Sequence, residues 1–242
     1  MPGELDGSAD LWERNARTDP LWAVLAAPDK KGRRWNATEF FKTGERDVAE
    51  ILGYVDVRGA RPRMGRALDF GCGVGRLTQA LATCFERVEG VDVSPTMIEL
   101  ARQYDRTGRC TFSVNTAPDL KLFADGAFDF ALSILVLQHI PSPFAIGYVR
   151  ELCRVVGPGG TLFFQAPHQR HVPLRQRRAT ALRRLAAWML RRESVELAMY
   201  ALPQDEVREI LRSSGLDLIE ARPDVWAGDD WESFTYLARK LV

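Results

Sequence analysis

Apolar positions along the 242-residue chain follow two periods. From 58 to 166, short apolar runs alternate with segments of helical spacing. That alternation predicts βαβ units and a parallel sheet. Strands are expected at 66–70, 87–91, 110–114, 128–134 and 161–166. Helices are expected at 76–85, 94–104 and 142–156, carried by Leu77, Ala80 and Leu81, by Met97, Ile98, Leu100 and Ala101, and by Ile146, Val149, Leu152 and Val155. Ser94-Pro95 and Ser142-Pro143 each read as an N-cap followed by proline at the first helical position. Further on, the pattern predicts a helix at 203–213 closing on Gly215, a strand at 216–221, and an alternating final strand at 231–237 that folds back antiparallel.

Ahead of the sheet, residues 1–9 are small and polar and are expected to fray. Asp10 is placed as the cap of a short helix carrying Leu11, Trp12 and Ala16, which Asp19-Pro20 stops. Leu21 to Leu25 forms a second apolar patch. A longer helix starts at Asn36 or Thr38 and carries Phe40, Phe41, Val48, Ile51, Leu52 and Val55. Residues 1–57 thus form a helical cap ahead of a core at 58–242. Three of the six tryptophans (Trp12, Trp22 and Trp35) fall in this cap. Such aromatics either pack on the domain or close over a ligand cleft. Phe41 and Gly44 are its candidates for residues near a ligand.

The most informative stretch is Ala67-Leu68-Asp69-Phe70-Gly71-Cys72-Gly73-Val74-Gly75-Arg76. A buried strand stops at Phe70 and three glycines follow at alternate positions. Glycine tolerates positive φ and lets a ligand lie against bare backbone. The helix that follows points its free N–H groups into the turn. The dinucleotide fingerprint Gly-x-Gly-x-x-Gly is not met, because Arg76 stands where its third glycine belongs. The Gly-Lys-Ser/Thr of a phosphate-binding loop is absent as well. Asp92, 23 positions after Asp69 at the tip of the second strand, is placed to hydrogen-bond both hydroxyls of a ribose.

With Asp69 ahead of the glycines, this stretch resembles motif I of the class I S-adenosylmethionine-dependent methyltransferases of the small-molecule, type 11-like kind. Phe128-Asp129 before an apolar run, the segment 135–141 after it, and Arg154-Val155 ahead of Pro158-Gly159-Gly160 extend the resemblance over roughly 40–166. The ending at 203–242 matches by pattern. The resemblance implies an α/β fold: a doubly wound, seven-stranded, mostly parallel sheet with the last strand antiparallel, an N-terminal helical cap, and a helical insert after strand five. It also implies S-adenosyl-L-methionine as cofactor. Gly71, Cys72 and Gly73 would admit its methionine portion, and Asp69 would bind its ammonium. Asp92 would take the ribose and Val93 one face of the adenine, while Leu135 would lie near the sulfonium. Thr116 stands where the family most often has an acid beside the adenine amino group, leaving its hydroxyl or the backbone around Ala117 for that contact.

Composition narrows the classes. Apolar residues make up 46% and charged residues 27%, ordinary for a globular protein, and the net charge of +1 argues against a general nucleic-acid binder. The four cysteines, at 72, 84, 110 and 153, form no Cys-x-x-Cys pair and are expected as reduced thiols in a cytoplasmic protein. Neither a secretory leader nor a transmembrane run is expected. Residues 167–202 hold eight arginines, from Arg170 to Arg192, interleaved with Leu182, Leu185, Trp188 and Leu190. This basic amphipathic insert is expected as a lid; an anion dock, or a membrane-surface contact through 172–192, is the other reading.

Methyl transfer to oxygen benefits from a base. The chain has three histidines. His139 follows strand four and His168 follows strand five, both at the carboxyl edge of the sheet, and these two are the candidate catalytic residues. No cluster of metal ligands is seen, so no metal is expected. The expected activity is methylation of a small-molecule hydroxyl (a sugar, glycolipid or secondary metabolite), the acceptor being anionic if arginines face it. The alternatives are small-molecule N-methylation, nucleic-acid methylation gripped by the arginine-rich insert, and cofactor binding without turnover. Against nucleic acid, Leu135-Val136-Leu137-Gln138 replaces the Asn/Asp-Pro-Pro-Tyr/Phe pattern after strand four.

Overall fold

The computed structural model describes residues 2–170 and 198–242. Among them the chain forms helices α1 (Pro2–Thr18), α2 (Pro20–Val24) and α3 (Ala37–Val57) before the first strand. The core then runs β1 (Arg66–Phe70), α4 (Arg76–Leu81), β2 (Arg87–Asp92), α5 (Pro95–Tyr104), β3 (Cys110–Val114), β4 (Phe128–Ser133), α6 (Ser142–Val155) and β5 (Val156–Arg170). It closes with α7 (Gln204–Ser213), β6 (Leu216–Asp224) and β7 (Trp231–Lys240).

The seven strands lie in the order β3-β2-β1-β4-β5-β7-β6. β1 to β5 pair in parallel, and β7 inserts antiparallel between β5 and β6. This is the doubly wound sheet with a reversed last strand that the sequence led us to expect.

Strand periodicity builds the two helix layers. Successive side chains point to opposite faces, so Leu68 and Phe70 join one core with α6 and α7, while Ala67 joins another with α3 and α4. Phe164 and Phe163 divide in the same way. α3 contributes Val48, Ile51 and Val55 to that second core, so this part of the cap is one of the sheet's own helix layers.

Local signals place the element ends. Ser94 Oγ accepts from Met97 N at 3.1 Å with Pro95 at the first helical position, as expected. Asn36 caps α3 by accepting from Glu39 N. Several expectations are corrected. α1 begins at Pro2, so Asp10 lies inside it rather than capping it. Ser142 lies in the first turn of α6, where Pro141 takes the cap position; Ser142 Oγ donates to the Ala201 carbonyl at 3.0 Å instead. β5 continues to Arg170 because its end is paired with β7 through Pro167, Gln169 and Arg170. The first four residues of the expected insert at 167–202 therefore belong to the sheet. The rest of the arginine-rich stretch, with His171 and the membrane contact considered at 172–192, lies in residues 171–197, outside the described residues.

Gly44 is placed by packing. A Cβ there would lie 2.3 Å from the Arg76 carbonyl oxygen, so glycine lets α3 press on the start of α4. Gly53, on the same helix, meets nothing within 4 Å. Alanine normally favours a helix over glycine by about 1 kcal/mol. Gly53→Ala should therefore raise the melting temperature, and Gly44→Ala should lower it through overpacking of about 1–3 kcal/mol. Thermal unfolding of the two variants checks the opposite signs.

Candidate active site

A cleft opens at the carboxyl ends of β1, β2, β3 and β4, where ligands bind in sheets of this kind. It encloses about 1080 Å³, counting the space open to solvent. Its floor is the turn after β1. Gly71 N and Cys72 N both donate to the Val91 carbonyl, at 2.8 and 2.9 Å, so this turn hangs from the end of β2. Gly71 (φ +79°) and Gly73 (φ +53°) both take the left-handed conformation that favours glycine. A Cβ on Gly71 would lie 2.2 Å from Val136, and one on Gly73 2.5 Å from Val24 of α2. The missing side chains thus make room for protein as well as for a ligand.

Two carboxylates dominate the electrostatics. Asp92 accepts from Gly73 N through Oδ2 and from Ser94 N through Oδ1, both at 2.9 Å. Each carboxylate oxygen offers about two lone-pair sites, so one remains open on each. Burial pushes the Asp92 carboxyl above its usual range, against the opposing pull of these N–H groups. Asp69, only 2% exposed, accepts from Thr78 Oγ1 at 2.6 Å. Burial raises it to about 6, with the Thr78 bond and the Arg76 charge opposing. Arg76 itself points its Nη1 at Thr43 and Asp47. Burial also pushes the Cys72 thiol well up. One buried and one half-buried carboxylate at one turn make a site suited to a cation carrying a diol.

The other walls come from five elements. Val93, Asn115 and Thr116 follow β2 and β3, and Ile134, Leu135, Val136 and Ile140 follow β4. Leu135 has φ +62°, a rare conformation for a residue with a side chain. Ser8, Ala9 and Trp12 of α1 and Ala23 and Val24 of α2 cover the remaining side. α1 is fastened beside Asp92 through Glu13, which accepts from Ser94 Oγ (2.6 Å), Thr96 Oγ1 (2.6 Å) and Thr96 N (3.2 Å). Burial alone would raise the Glu13 carboxyl, but these bonds and that from Arg17 hold it at about 2.

Of the cofactor residues expected from sequence, Asp69, Gly71, Cys72, Gly73, Asp92, Val93, Thr116 and Leu135 line one cleft. Ala117 does not; its carbonyl accepts from Tyr148 Oη at 2.5 Å, which steadies the turn after β3. Phe41 and Gly44 lie outside the cleft: Phe41 packs on Phe40 and Tyr104 at centroid distances of 5.4 and 5.3 Å. Asn115 and Tyr148 were not singled out. Position at the tip of β3 was the available signal for Asn115, whereas Tyr148 reaches the site from α6 across the fold.

Neither candidate base lines the cleft. His168 Nδ1 accepts from Gln204 N at 3.0 Å and so caps α7. His139 packs edge-on against Trp12 at 5.2 Å, with Nδ1 3.2 Å from the Ala198 carbonyl and Nε2 3.0 Å from Gln138 Nε2. Burial lowers its pKa. Among the described residues, no group of three or more His, Cys, Asp or Glu side chains could hold a metal ion.

Sheet order and the placement of the glycine turn and the two acids give this chain a fold similar to that of the S-adenosylmethionine-dependent methyltransferases. The sequence profile of the family described as "Methyltransferase domain" matches residues 68–164. The chain is 35% identical over 114 residues to a ubiquinone biosynthesis O-methyltransferase of Xanthomonas campestris pv. campestris (strain B100), covering 46% of each. It is 32% identical over 115 residues to the protein of that name from Xanthomonas oryzae pv. oryzae (strain PXO99A), covering 47% of this chain and 45% of the relative. The match therefore spans about half the length of these curated relatives. The fold is similar to that of magnesium protoporphyrin IX methyltransferase from Synechocystis PCC 6803, solved with bound S-adenosylhomocysteine: TM-score 0.64, 19% identity, 98% of this chain and 99% of that one. A Leishmania major S-adenosylmethionine-dependent methyltransferase gives a TM-score of 0.64 at 13% identity, over 97% and 82% of the two chains.

The raised carboxyl of Asp69 has a signed consequence. The folded state holds this proton more tightly than the unfolded chain, so stability falls as pH rises through about 6. Asp69→Asn should make the unliganded protein more stable at pH 7, by about 2–3 kcal/mol. The gap between variant and wild type should close as pH falls toward 4. Denaturant unfolding of both proteins across this range measures it.

Proposed function

We propose that this protein is an S-adenosylmethionine-dependent methyltransferase acting on a hydroxyl oxygen of a small-molecule acceptor. The observation that carries this reading is the pair of carboxylates, buried Asp69 and half-buried Asp92, set around a positive-φ glycine turn. The residues present fit that cofactor. The open lone pairs of Asp92 suit the two ribose hydroxyls, and the Asp69 charge suits an ammonium. Val93 and Thr116 suit the face and the edge of an adenine. The bound group supplies a methyl already activated by a sulfonium.

What the chain then contributes is alignment and the exclusion of water. Trp12, Val24 and Ile140 make the apolar walls that would exclude it. Oxygen as the methylated atom is supported by the names of the Xanthomonas relatives, which are similar to this chain over about half its length. Neither His139 nor His168 is given the role of base, since both are engaged in structural hydrogen bonds.

Calorimetric titration tests the reading. S-adenosylmethionine and S-adenosylhomocysteine should bind and NADH should not. Asp92→Ala removes two hydrogen bonds to a charged acceptor and should weaken both sulfur nucleotides by about 100-fold or more. Wild-type affinity for S-adenosylmethionine should fall as pH drops below about 6, where Asp69 takes up its proton. Failure of either sulfur nucleotide to bind would remove the cofactor assignment.

A further inference from the structure

The chain behind the cleft holds a buried run of amides that the reaction itself does not use. Leu135 N donates to Gln165 Oε1 at 3.3 Å. Gln165 is fully buried on β5, and its Nε2 donates to Ser233 Oγ at 2.6 Å and to Gln138 Oε1 at 3.3 Å. Gln138, 5% exposed, puts its own Nε2 3.0 Å from His139 Nε2, and His139 Nδ1 lies 3.2 Å from the Ala198 carbonyl.

This run has a direction. A backbone N–H can only donate, so the atom of Gln165 facing Leu135 must be its oxygen. Ser233 Oγ donates to the Ala166 carbonyl at 3.4 Å and accepts from Gln165, which orients the same amide independently. Gln165 then turns its NH2 to Gln138, whose oxygen accepts and whose NH2 faces His139. An NH2 only donates, so His139 Nε2 must accept. The proton of the neutral ring therefore sits on Nδ1, pointing at Ala198.

We propose that Gln165 and Gln138 form a one-way amide relay that holds the Leu135 turn against the cofactor cleft and locks His139 as the neutral Nδ1–H tautomer, making His139 a positioning residue. The relay explains two features together. Leu135 sits at φ +62°, a conformation that persists only where the surroundings over-determine it. The buried carbonyl of Gln165 and the packing of Val136 against Gly71 supply that determination. At the other end, His139 and Gln138 tie down the chain that returns from beyond β5. Tyr200 N donates to the Gln138 carbonyl at 2.8 Å, and Leu202 N to the Pro167 carbonyl at 2.7 Å. The cofactor side and the returning segment are thereby parts of one hydrogen-bonded unit.

The inference rests on the proposed function for why the turn must be held, but its test does not need turnover. With ¹⁵N-labelled histidine in the full chain, the His139 signals are assigned by their loss in His139→Asn, and long-range ¹H–¹⁵N spectra report the tautomer. Wild type should show Nδ1–H; an Nε2–H ring or a mixture of tautomers would overturn the relay. Gln138→Glu presents only acceptors to His139 and should leave the ring protonated on both nitrogens at neutral pH; an unchanged tautomer there would also overturn it. Gln165→Met keeps the volume but removes the acceptor for Leu135 N. Hydrogen exchange at that amide should accelerate about 10-fold or more, and an unchanged rate would separate the turn from the relay. A wild type that fails to bind S-adenosylhomocysteine, yet shows these signatures, would sink the cofactor reading and leave the relay standing.

Discussion

The Asp92 carboxylate is the joint on which the site depends. One oxygen accepts from Gly73 and the other from Ser94, so a single side chain ties the glycine turn after β1 to the start of α5. Its own backbone carbonyl accepts from Asn115 at 2.9 Å, which brings in the turn after β3. Three loops that only meet because the sheet orders its strands β3-β2-β1 are thus referenced to one residue. The fold supplies proximity and the carboxylate supplies register.

This arrangement costs stability. Two ionisable groups sit in a poorly solvated cleft, and burial raises both. A protein selected only for stability would replace them with neutral groups. Their presence, with no side-chain cation bonded directly to either among the described residues, is what a cationic ligand would answer. The same tension appears at Leu135, a strained backbone held by buried amides. Strain and uncompensated charge fall on the same cleft, as expected where pre-organisation is worth more than relaxation.

Much of this was legible in the sequence, for physical reasons. The parallel strands are short apolar runs closed by turns, so period and punctuation placed β1 and β3 to the residue. Ser94-Pro95 fixed the start of α5 because cap and proline act within one turn of backbone. The cleft floor was legible because glycines and acids at strand tips are local signals. What escaped was set by distant partners. β5 runs on to Arg170 because β7 lies beside it. Gly44 looked like a ligand neighbour and proved to be a packing contact with Arg76, 32 positions away. His139 and His168 were placed as candidate bases by position; both nitrogens of His139 face Gln138 and the Ala198 carbonyl, and His168 Nδ1 accepts from Gln204 N. Of these partners, Ala198 and Gln204 lie beyond the local pattern.

The contact between Val24 and Gly73 carries one more meaning. The family profile begins at residue 68, yet a wall of its glycine turn is a valine from α2. The unit that evolution can shuffle is therefore not the profile-matching stretch alone. A graft of 68–164 into another cap would leave the turn bare to water or crowd it, depending on what stood in place of Val24. The N-terminal helices are bound to the glycine turn by steric fit, so changes in them must be accommodated without disturbing that one seam.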